Sequence, residues 1–264
     1  MYTRKEIIRQ LWEIGAPRNR VVMLHSAYSR VGEIEGGPEE FLDTLIEYFT
    51  AEGGLFCVPT HTWGLIGERD VTLDFSEKYT NLGLLSRLAL ERSDGIRSEN
   101  PTHSTVVFGD TGRAFAYIDG EKYAQTPMSP DGCYGRLYTE GGTVMLLGVT
   151  HTSNTFLHAV DEMLDVKGRL DESFSEYTVK YMDGREVKRK IYMLDEREGD
   201  ISLQFDKFSP AFDYHNVQLR GKIGDAPTIL CDAAGMKRVV ERIYTAADAD
   251  PLRTEGAIAK ELYS

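Results

Sequence analysis

Two short runs limit what this chain can fold into: Val21-Val22-Met23-Leu24 and Leu55-Phe56-Cys57-Val58, each apolar at every position. A strand with one wet face alternates. A strand that is apolar throughout is covered on both faces, as in the parallel sheets of α/β proteins. Between the two runs, Gly36-Gly37-Pro38 opens a stretch with Phe41, Leu42, Leu45, Ile46 and Phe49 on one helical face. Pro38 suits a first helical turn, and Gly53-Gly54 ends the helix. Strand, covering helix and second strand predict a right-handed crossover between parallel neighbours. A helix over residues 4–14 precedes them, capped by Thr3 with Glu6 three positions on and stopped by Gly15 and Pro17.

The rhythm continues with one break. A helix over 81–92, strands at Thr105–Phe108 and Thr143–Leu147, a helix over Asn154–Leu164, a strand at Thr228–Leu230 and a helix over 232–246 are expected. Residues 62–80 read as a surface loop. The break is an Asp183-Gly184 pair between the runs Tyr177–Tyr181 and Val187–Leu194, which signals an antiparallel hairpin. No repeat, low-complexity segment or linker interrupts the chain. The expected fold class is therefore α/β. One domain over 1–264 has a central, mostly parallel sheet flanked by helices, and a hairpin insertion around 177–194 forms an antiparallel layer.

The formal net charge of -12 repels polyanions, so nucleic acid and anionic membranes are not expected partners. The same field draws in a cationic small molecule, although an acidic surface also serves solubility alone. Cys57, Cys133 and Cys231 are odd in number and far apart, which argues against a disulfide framework and a four-thiolate zinc site. The N-terminus starts an amphipathic helix rather than a signal peptide, and no apolar run reaches membrane-spanning length. A cytoplasmic location is expected.

Three polar segments follow apolar runs, where α/β sheets build their sites. The first is His25-Ser26-Ala27-Tyr28-Ser29-Arg30-Val31-Gly32 with Gly36-Gly37-Pro38; it is either an anion site at a helix start or an ordinary connection. The second is Arg97-Ser98-Glu99-Asn100-Pro101-Thr102-His103-Ser104, where Arg97 pairs with a phosphate or with a surface carboxylate. The third is His151 to Glu162. Here His158 is followed at i+3 by Asp161 and at i+4 by Glu162, a spacing that lets a carboxylate hold an imidazole as general base or form a simple surface pair. There is no Gly-x-Ser-x-Gly elbow and no His-Glu-x-x-His, and no metal is expected; a hydrolase using dispersed histidines is the remote alternative.

These segments together resemble the aminoglycoside 3-N-acetyltransferase family. The resemblance is carried by Leu24–Gly32 with Glu35-Gly36-Gly37-Pro38-Glu39, by Val58-Pro59-Thr60-His61-Thr62, and by Arg97-Ser98 with Pro101 and Ser104. It continues through Ser129-Pro130, Gly141–Val149, Asn154-Thr155 with Leu157-His158, and Gly221–Ala226. It implies a family-specific α/β fold, not the common acetyltransferase fold, with acetyl-CoA as donor and an aminosugar amine as acceptor. It also implies that the first two segments line the coenzyme A cleft. The expected contacts there are Ser26, Tyr28, Ser29, Arg30, Val31, Arg97, Ser98, Pro101, Thr102 and Ser104. His158 is implied as the base, with Asp161 or Glu162 orienting it, and the amine attacks directly in a ternary complex. The chain departs from the family pattern at Ala27, Asn100, Tyr123, Thr152 and Asp161. A coenzyme A-binding homologue with little catalysis is the second reading.

Overall fold

The computed structural model describes residues 1–264. In chain order it contains α1 (Arg4–Glu13), β1 (Val21–Ser26), α2 (Gly37–Thr50), β2 (Leu55–Pro59), β3 (Val71–Asp74) and α3 (Leu84–Glu91). Next come β4 (Ile96–Arg97), β5 (Thr105–Phe108), α4 (Thr111–Ile118), α5 (Cys133–Thr139), β6 (Thr143–Leu147) and α6 (Phe156–Met163). The chain closes with β7 (Ser175–Lys180), β8 (Glu186–Ile191), α7 (Ser209–Tyr214), β9 (Gln218–Ile223), β10 (Ala226–Asp232) and α8 (Ala233–Ala246). The expected capping box of α1 forms, with Thr3 and Glu6 bonding to each other's backbone N–H.

The central sheet has seven strands in the order β4-β5-β2-β1-β6-β10-β9. The predicted crossover is present: β1 runs parallel to β2 with Val21 opposite Leu55, and β1 runs parallel to β6. The expectation of a mostly parallel sheet holds only for these middle strands. β5 is antiparallel to both β2 and β4, and β10 is antiparallel to both β6 and β9. The cause is local. The edges are delivered by two hairpins, β4–β5 through the polar loop 98–104 and β9–β10 through Gly224-Asp225, and a hairpin returns antiparallel.

Two apolar clusters fill the two faces of this sheet. Met23, Cys57, Val107, Val144 and Leu146 face α4, α5, α6, α7 and α8, whereas Val22, Phe56, Val106, Met145 and Leu147 face α1, α2 and α3. Covering both faces explains why β1, β2 and β6 carry no alternation, and each fully buried aliphatic or aromatic side chain contributes about 1.5–3 kcal/mol.

The predicted hairpin forms as β7 and β8, turning at Met182-Asp183-Gly184 with Gly184 at φ +82. It belongs to a second sheet in the order β3-β7-β8. Residues 62–80 are therefore not all surface loop, because β3 pairs parallel to β7. Four residues are too few to show a period, and β3 is anchored by an ion pair, Asp74 to Lys180 at 2.9 Å. No helix is long and apolar enough to cross a membrane.

Candidate active site

The carboxyl ends of β2, β1 and β6 lie along one edge, and antiparallel β5 begins there. Pleat alternation decides what reaches this edge. Met23 and Cys57 belong to the face that packs on α5 and α6. His25 lies two residues beyond Met23. His61 lies four beyond Cys57, and ladder-like bonds continue past β2 from Thr60 N to Ser104 O and from Thr62 N to Thr102 O. Both histidines therefore point to the same face. His103 precedes β5, and His158 comes from α6, which packs on that face through Leu157 and Val160.

The His61 and His103 rings lie 4.6 Å apart between centroids. His61 Nε2 is bonded to the Tyr134 hydroxyl on α5, and His103 Nδ1 to Thr102 Oγ1 at 2.9 Å. The edge of Phe205 meets the His158 ring at 4.8 Å. His25 and His158 make no side-chain hydrogen bond, and His25 Nε2 and His158 Nδ1 are sealed from solvent without a partner. Loss of water penalises the charged ring. Burial accordingly pushes His25 and His103 down to about 3 and His158 down to about 4, with Asp200 opposing and Arg169 adding to the His158 shift. His61 falls well below the ordinary value, first by burial and then because His103, His25 and His158 surround it. All these rings are neutral at neutral pH.

The expectation that Asp161 orients His158 is corrected by the packing of α6. Asp161 Oδ2 accepts from Arg169 Nε at 2.6 Å, and Arg169 Nη2 continues to Asp250 at 2.7 Å and to the Tyr244 hydroxyl at 2.9 Å. Arg169 and Asp161 are buried, with side chains 3% and 1% exposed, so Asp161 braces α6 rather than reaching the imidazole. Glu162 accepts from Thr126 Oγ1 at 2.7 Å and does not bond to the ring. Its Oε2 is buried without a partner, one turn from the free Nδ1 of His158.

The polar loop 98–104 is held by its own side chains. Asn100 Oδ1 accepts from the N–H groups of Thr102 and His103 at 3.2 and 2.9 Å. Its amide donates to Glu121 at 2.9 Å and to Pro127 O at 2.8 Å. Glu121 is fully buried without a cation and also accepts from Cys133 N at the start of α5, at 2.7 Å. Burial raises its pKa, and the Cys133 N–H and the Asn100 amide oppose the rise. Asn100 thus ties the His103 loop to the helix that carries Tyr134.

The expected coenzyme A contacts divide into two groups. Val31, Ser98, Pro101, Thr102 and Ser104 are buried. Ser98 Oγ accepts from Thr105 N at 3.0 Å, Pro101 O accepts from Thr62 Oγ1 at 3.1 Å, and Ser104 Oγ donates to Thr60 O at 2.9 Å. These side chains frame the loop and do not present free polar groups. Ser26 and Tyr28 are half-buried, Tyr28 against Phe41, whereas Ser29 and Arg30 are exposed. Arg97 is the unusual member. Its guanidinium donates only to Ser104 Oγ and to the carbonyls of Thr60, Glu77 and Tyr79. No carboxylate bonds to it, and burial lowers it to about 10 against the opposing charges of Glu77 and Asp74. It lines a cavity of about 550 Å³ together with Lys78, Phe75, Tyr181 and Phe115. At α2, by contrast, Glu39 and Glu40 occupy the first turn, which already complements the helix dipole.

A second cavity, of about 630 Å³, has Glu198, Asp200 and Glu255 on its wall together with Lys207 and Arg253, and Arg253 pairs with Glu198 at 2.9 Å. Asp200 caps the 3-10 helix Ile201–Phe208 whose Phe205 packs on His158. Nearby Glu196 is raised by burial and by the like charges of Asp200 and Asp171. Sequence reasoning missed this rim, because a 3-10 helix has no 3.6-residue period. His25 opened the first candidate segment and His61 lay in a resemblance motif, but neither ring was given a role; the signal was present, since each continues the pleat of an all-apolar strand. His151 is structural, bonded to Gln218 at 2.8 Å and packed at a tilt against Phe212. Among the departing positions, Tyr123 is 79% exposed. Thr152 bonds only to Thr150 Oγ1. No three His, Cys, Asp or Glu side chains are arranged to hold a metal ion, so the dispersed-histidine hydrolase has no ligand set here.

A family model described as aminoglycoside 3-N-acetyltransferase matches residues 23–245. The chain is 27% identical over 260 residues to aminoglycoside N(3)-acetyltransferase VII of Streptomyces paromomycinus, covering 88% of this chain and 87% of that protein. It is 28% identical over 257 residues to aminoglycoside N(3)-acetyltransferase IX of Micromonospora chalcea, covering 88% and 89%. The solved structure of AAC-IIIb, binary with CoASH, superposes with a TM-score of 0.73 at 21% identity, over 90% of this chain and 94% of that one.

Proposed function

Since this chain belongs to the aminoglycoside 3-N-acetyltransferase family, we propose that it acetylates an amine of an aminoglycoside or related aminosugar from acetyl-CoA, in a ternary complex, with His158 as the base. The observation that carries this reading is the state of His158: neutral, clamped by Phe205, and free of any hydrogen bond that would have to break first. The names of the two relatives and the CoASH bound to AAC-IIIb support these substrate classes.

Arg97 fits an anionic donor. A desolvated guanidinium that meets only carbonyl and hydroxyl oxygens gains most from a phosphate. Lys78 beside it and the exposed Ser29 and Arg30 are the other groups suited to hold coenzyme A. When bound, acetyl-CoA supplies an acetyl group on a thioester. Asp200, Glu196 and Asp171 form an acidic rim that attracts and orients the ammonium groups of the acceptor. His158 takes a proton from the attacking nitrogen through Nε2, the nitrogen that keeps solvent contact. The three cysteines are buried, with thiols pushed up by burial, so none is suited to carry the acyl group.

Free-thiol release from acetyl-CoA, measured across a panel of aminoglycosides and simple aminosugars, tests the proposal. Turnover that requires an amine acceptor and weakens with added salt is expected. Binding of acetyl-CoA without turnover on any acceptor would favour the second reading, a coenzyme A-binding homologue.

A further inference from the structure

We propose that His25 is a further catalytic residue, whose imidazole N–H donates a hydrogen bond to the acyl carbonyl oxygen while the amine attacks. The inference rests on the acyl-transfer reading above and adds the group that reading lacks, a donor for the developing oxyanion.

The assignment starts from what His25 does not do. It is the penultimate residue of β1 and only 7% exposed. A buried polar side chain nearly always finds a hydrogen-bond partner in the protein. His25 finds none: Nε2 is sealed and unpartnered, and Nδ1 bonds to no protein group. Only Nε2 is sealed, so Nδ1 is the nitrogen that keeps some solvent contact. Packing alone does not explain such a residue, because an apolar side chain would fill the space without desolvating two nitrogens.

Position supplies the second argument. His25 shares the pleat face of Met23, toward α5 and α6, and His61 lies among His25, His103 and His158. Two of these four rings are already engaged, His61 by Tyr134 and His103 by Thr102. The two free rings have complementary tasks, His158 to accept a proton and His25 to donate a hydrogen bond. Two hydroxyls, those of Ser104 and Thr155, are the alternative donors. Ser104 Oγ is buried and gives its hydrogen to Thr60 O. Thr155 at the start of α6 is the remaining hydroxyl, half-buried and not bonded through its side chain.

Chemistry supplies the third. A neutral imidazole N–H stabilises an oxyanion without surrendering its proton, and deep burial keeps the ring neutral, as the low value of about 3 for His25 indicates. As the carbon–nitrogen bond forms, His25 keeps its proton and His158 accepts one from the amine. As the carbon–sulfur bond breaks, His158 returns that proton to the departing thiolate. The sum is amine plus acetyl thioester giving amide plus thiol, with both imidazoles restored.

The test compares His25→Ala, His25→Phe, His25→Asn and Thr155→Val by thiol release, with acetyl-CoA affinity measured separately by calorimetry. Asn places its side-chain N–H near the position of histidine Nδ1, and Phe fills the ring's space without a donor. The expected result is a kcat ~100 to 1,000-fold lower for Ala and Phe, at unchanged acetyl-CoA affinity. His25→Asn should recover at least about a tenth of the parent kcat, on the scale of a single oxyanion donor. Near-parent kcat in His25→Phe overturns the proposal. So does a full loss reproduced by Thr155→Val but absent from the folded His25 variants. A parent protein that releases no thiol with any acceptor defeats the underlying reading instead.

Discussion

The neutral histidines make a quantitative demand on the acid stability of the fold. An unfolded imidazole binds its proton near 6.5, whereas folded His25 and His103 bind theirs at about 3. Between these values the unfolded chain takes up a proton that the folded chain refuses. Stability from each ring is therefore complete above about pH 6.5 and falls as the pH drops. At about pH 5 the loss is about 1.5 units at ~1.36 kcal/mol, or ~2 kcal/mol per ring. His25 and His103 together lose ~4 kcal/mol, a large share of the ~5–15 kcal/mol that holds a domain folded. Buried carboxyls act in the opposite sense: Glu121 and Glu162 are raised, and burial pushes Asp161 up to about 6, so each takes a proton more readily folded than unfolded. A single variant isolates one ring from this mixture. His25→Phe removes a ring that bonds to nothing; its one charge effect is on His61, which it helps to hold neutral. Urea unfolding of parent and variant at about pH 7, 6 and 5 should show their stability difference moving by ~2 kcal/mol toward the variant at the acid end. Parallel curves, with a difference constant within ~0.5 kcal/mol, would refute the claim that His25 is held neutral by burial.

Three further outcomes follow from particular contacts. Arg169→Met leaves Asp161 buried and uncompensated, with an expected loss of ~3–5 kcal/mol in thermal or urea unfolding, and adding Asp161→Leu should return most of it. Gly224→Ala would put a Cβ 2.1 Å from Val31 O at φ +59, so the unfolding free energy in urea should fall by ~1–3 kcal/mol and calorimetry should show weaker acetyl-CoA binding. Arg97→Met should weaken acetyl-CoA binding by at least ~10-fold, the ~1.5–3 kcal/mol of a charge-assisted bond, and unfolding curves should also show a loss of ~1–3 kcal/mol from the carbonyls it leaves unbonded.

The centre of the fold was legible in the sequence because its strands are buried on both faces. Val21–Leu24, Leu55–Val58 and Thr143–Leu147 can be nothing other than interior strands once a helix covers the first pair. The edges were less legible. β4 is two residues long and β9 mixes polar and apolar positions, with Leu219 exposed at one end and Ile223 buried at the other. Strands like these gain their identity from pairing, and pairing is not written in a local period. The site shows the same divide. His158 stood out through its carboxylate neighbours on one helix, yet those neighbours face elsewhere, because Arg169 and Thr126 arrive from distant segments and claim them. The glycines of the opening and late segments were visible only as resemblance. The structure gives their reason: Asp225 N donates to Val31 O at 2.8 Å, and a side chain at Gly32 would strike Asp225.

On the proposed reaction, a weakly basic imidazole is the suitable one. An acceptor with several ammonium groups approaches through an acidic rim. An imidazolium about 4 Å from an ammonium would cost ~4 kcal/mol at a near-surface effective dielectric. A ring lowered to about 4 stays uncharged throughout that approach. The reacting amine gives its ammonium proton to solvent before it attacks, because an ammonium has no lone pair. The proton His158 then takes is on a nitrogen already bonding to the acyl carbon, and that nitrogen is far more acidic than the free ammonium. Desolvation therefore has two linked effects, a base that does not repel its substrate and a fold that loses stability in acid. Raising the base by exposing His158 to water would improve proton affinity while reintroducing the repulsion. The clamp by Phe205 and the neighbouring neutral rings favour the opposite balance.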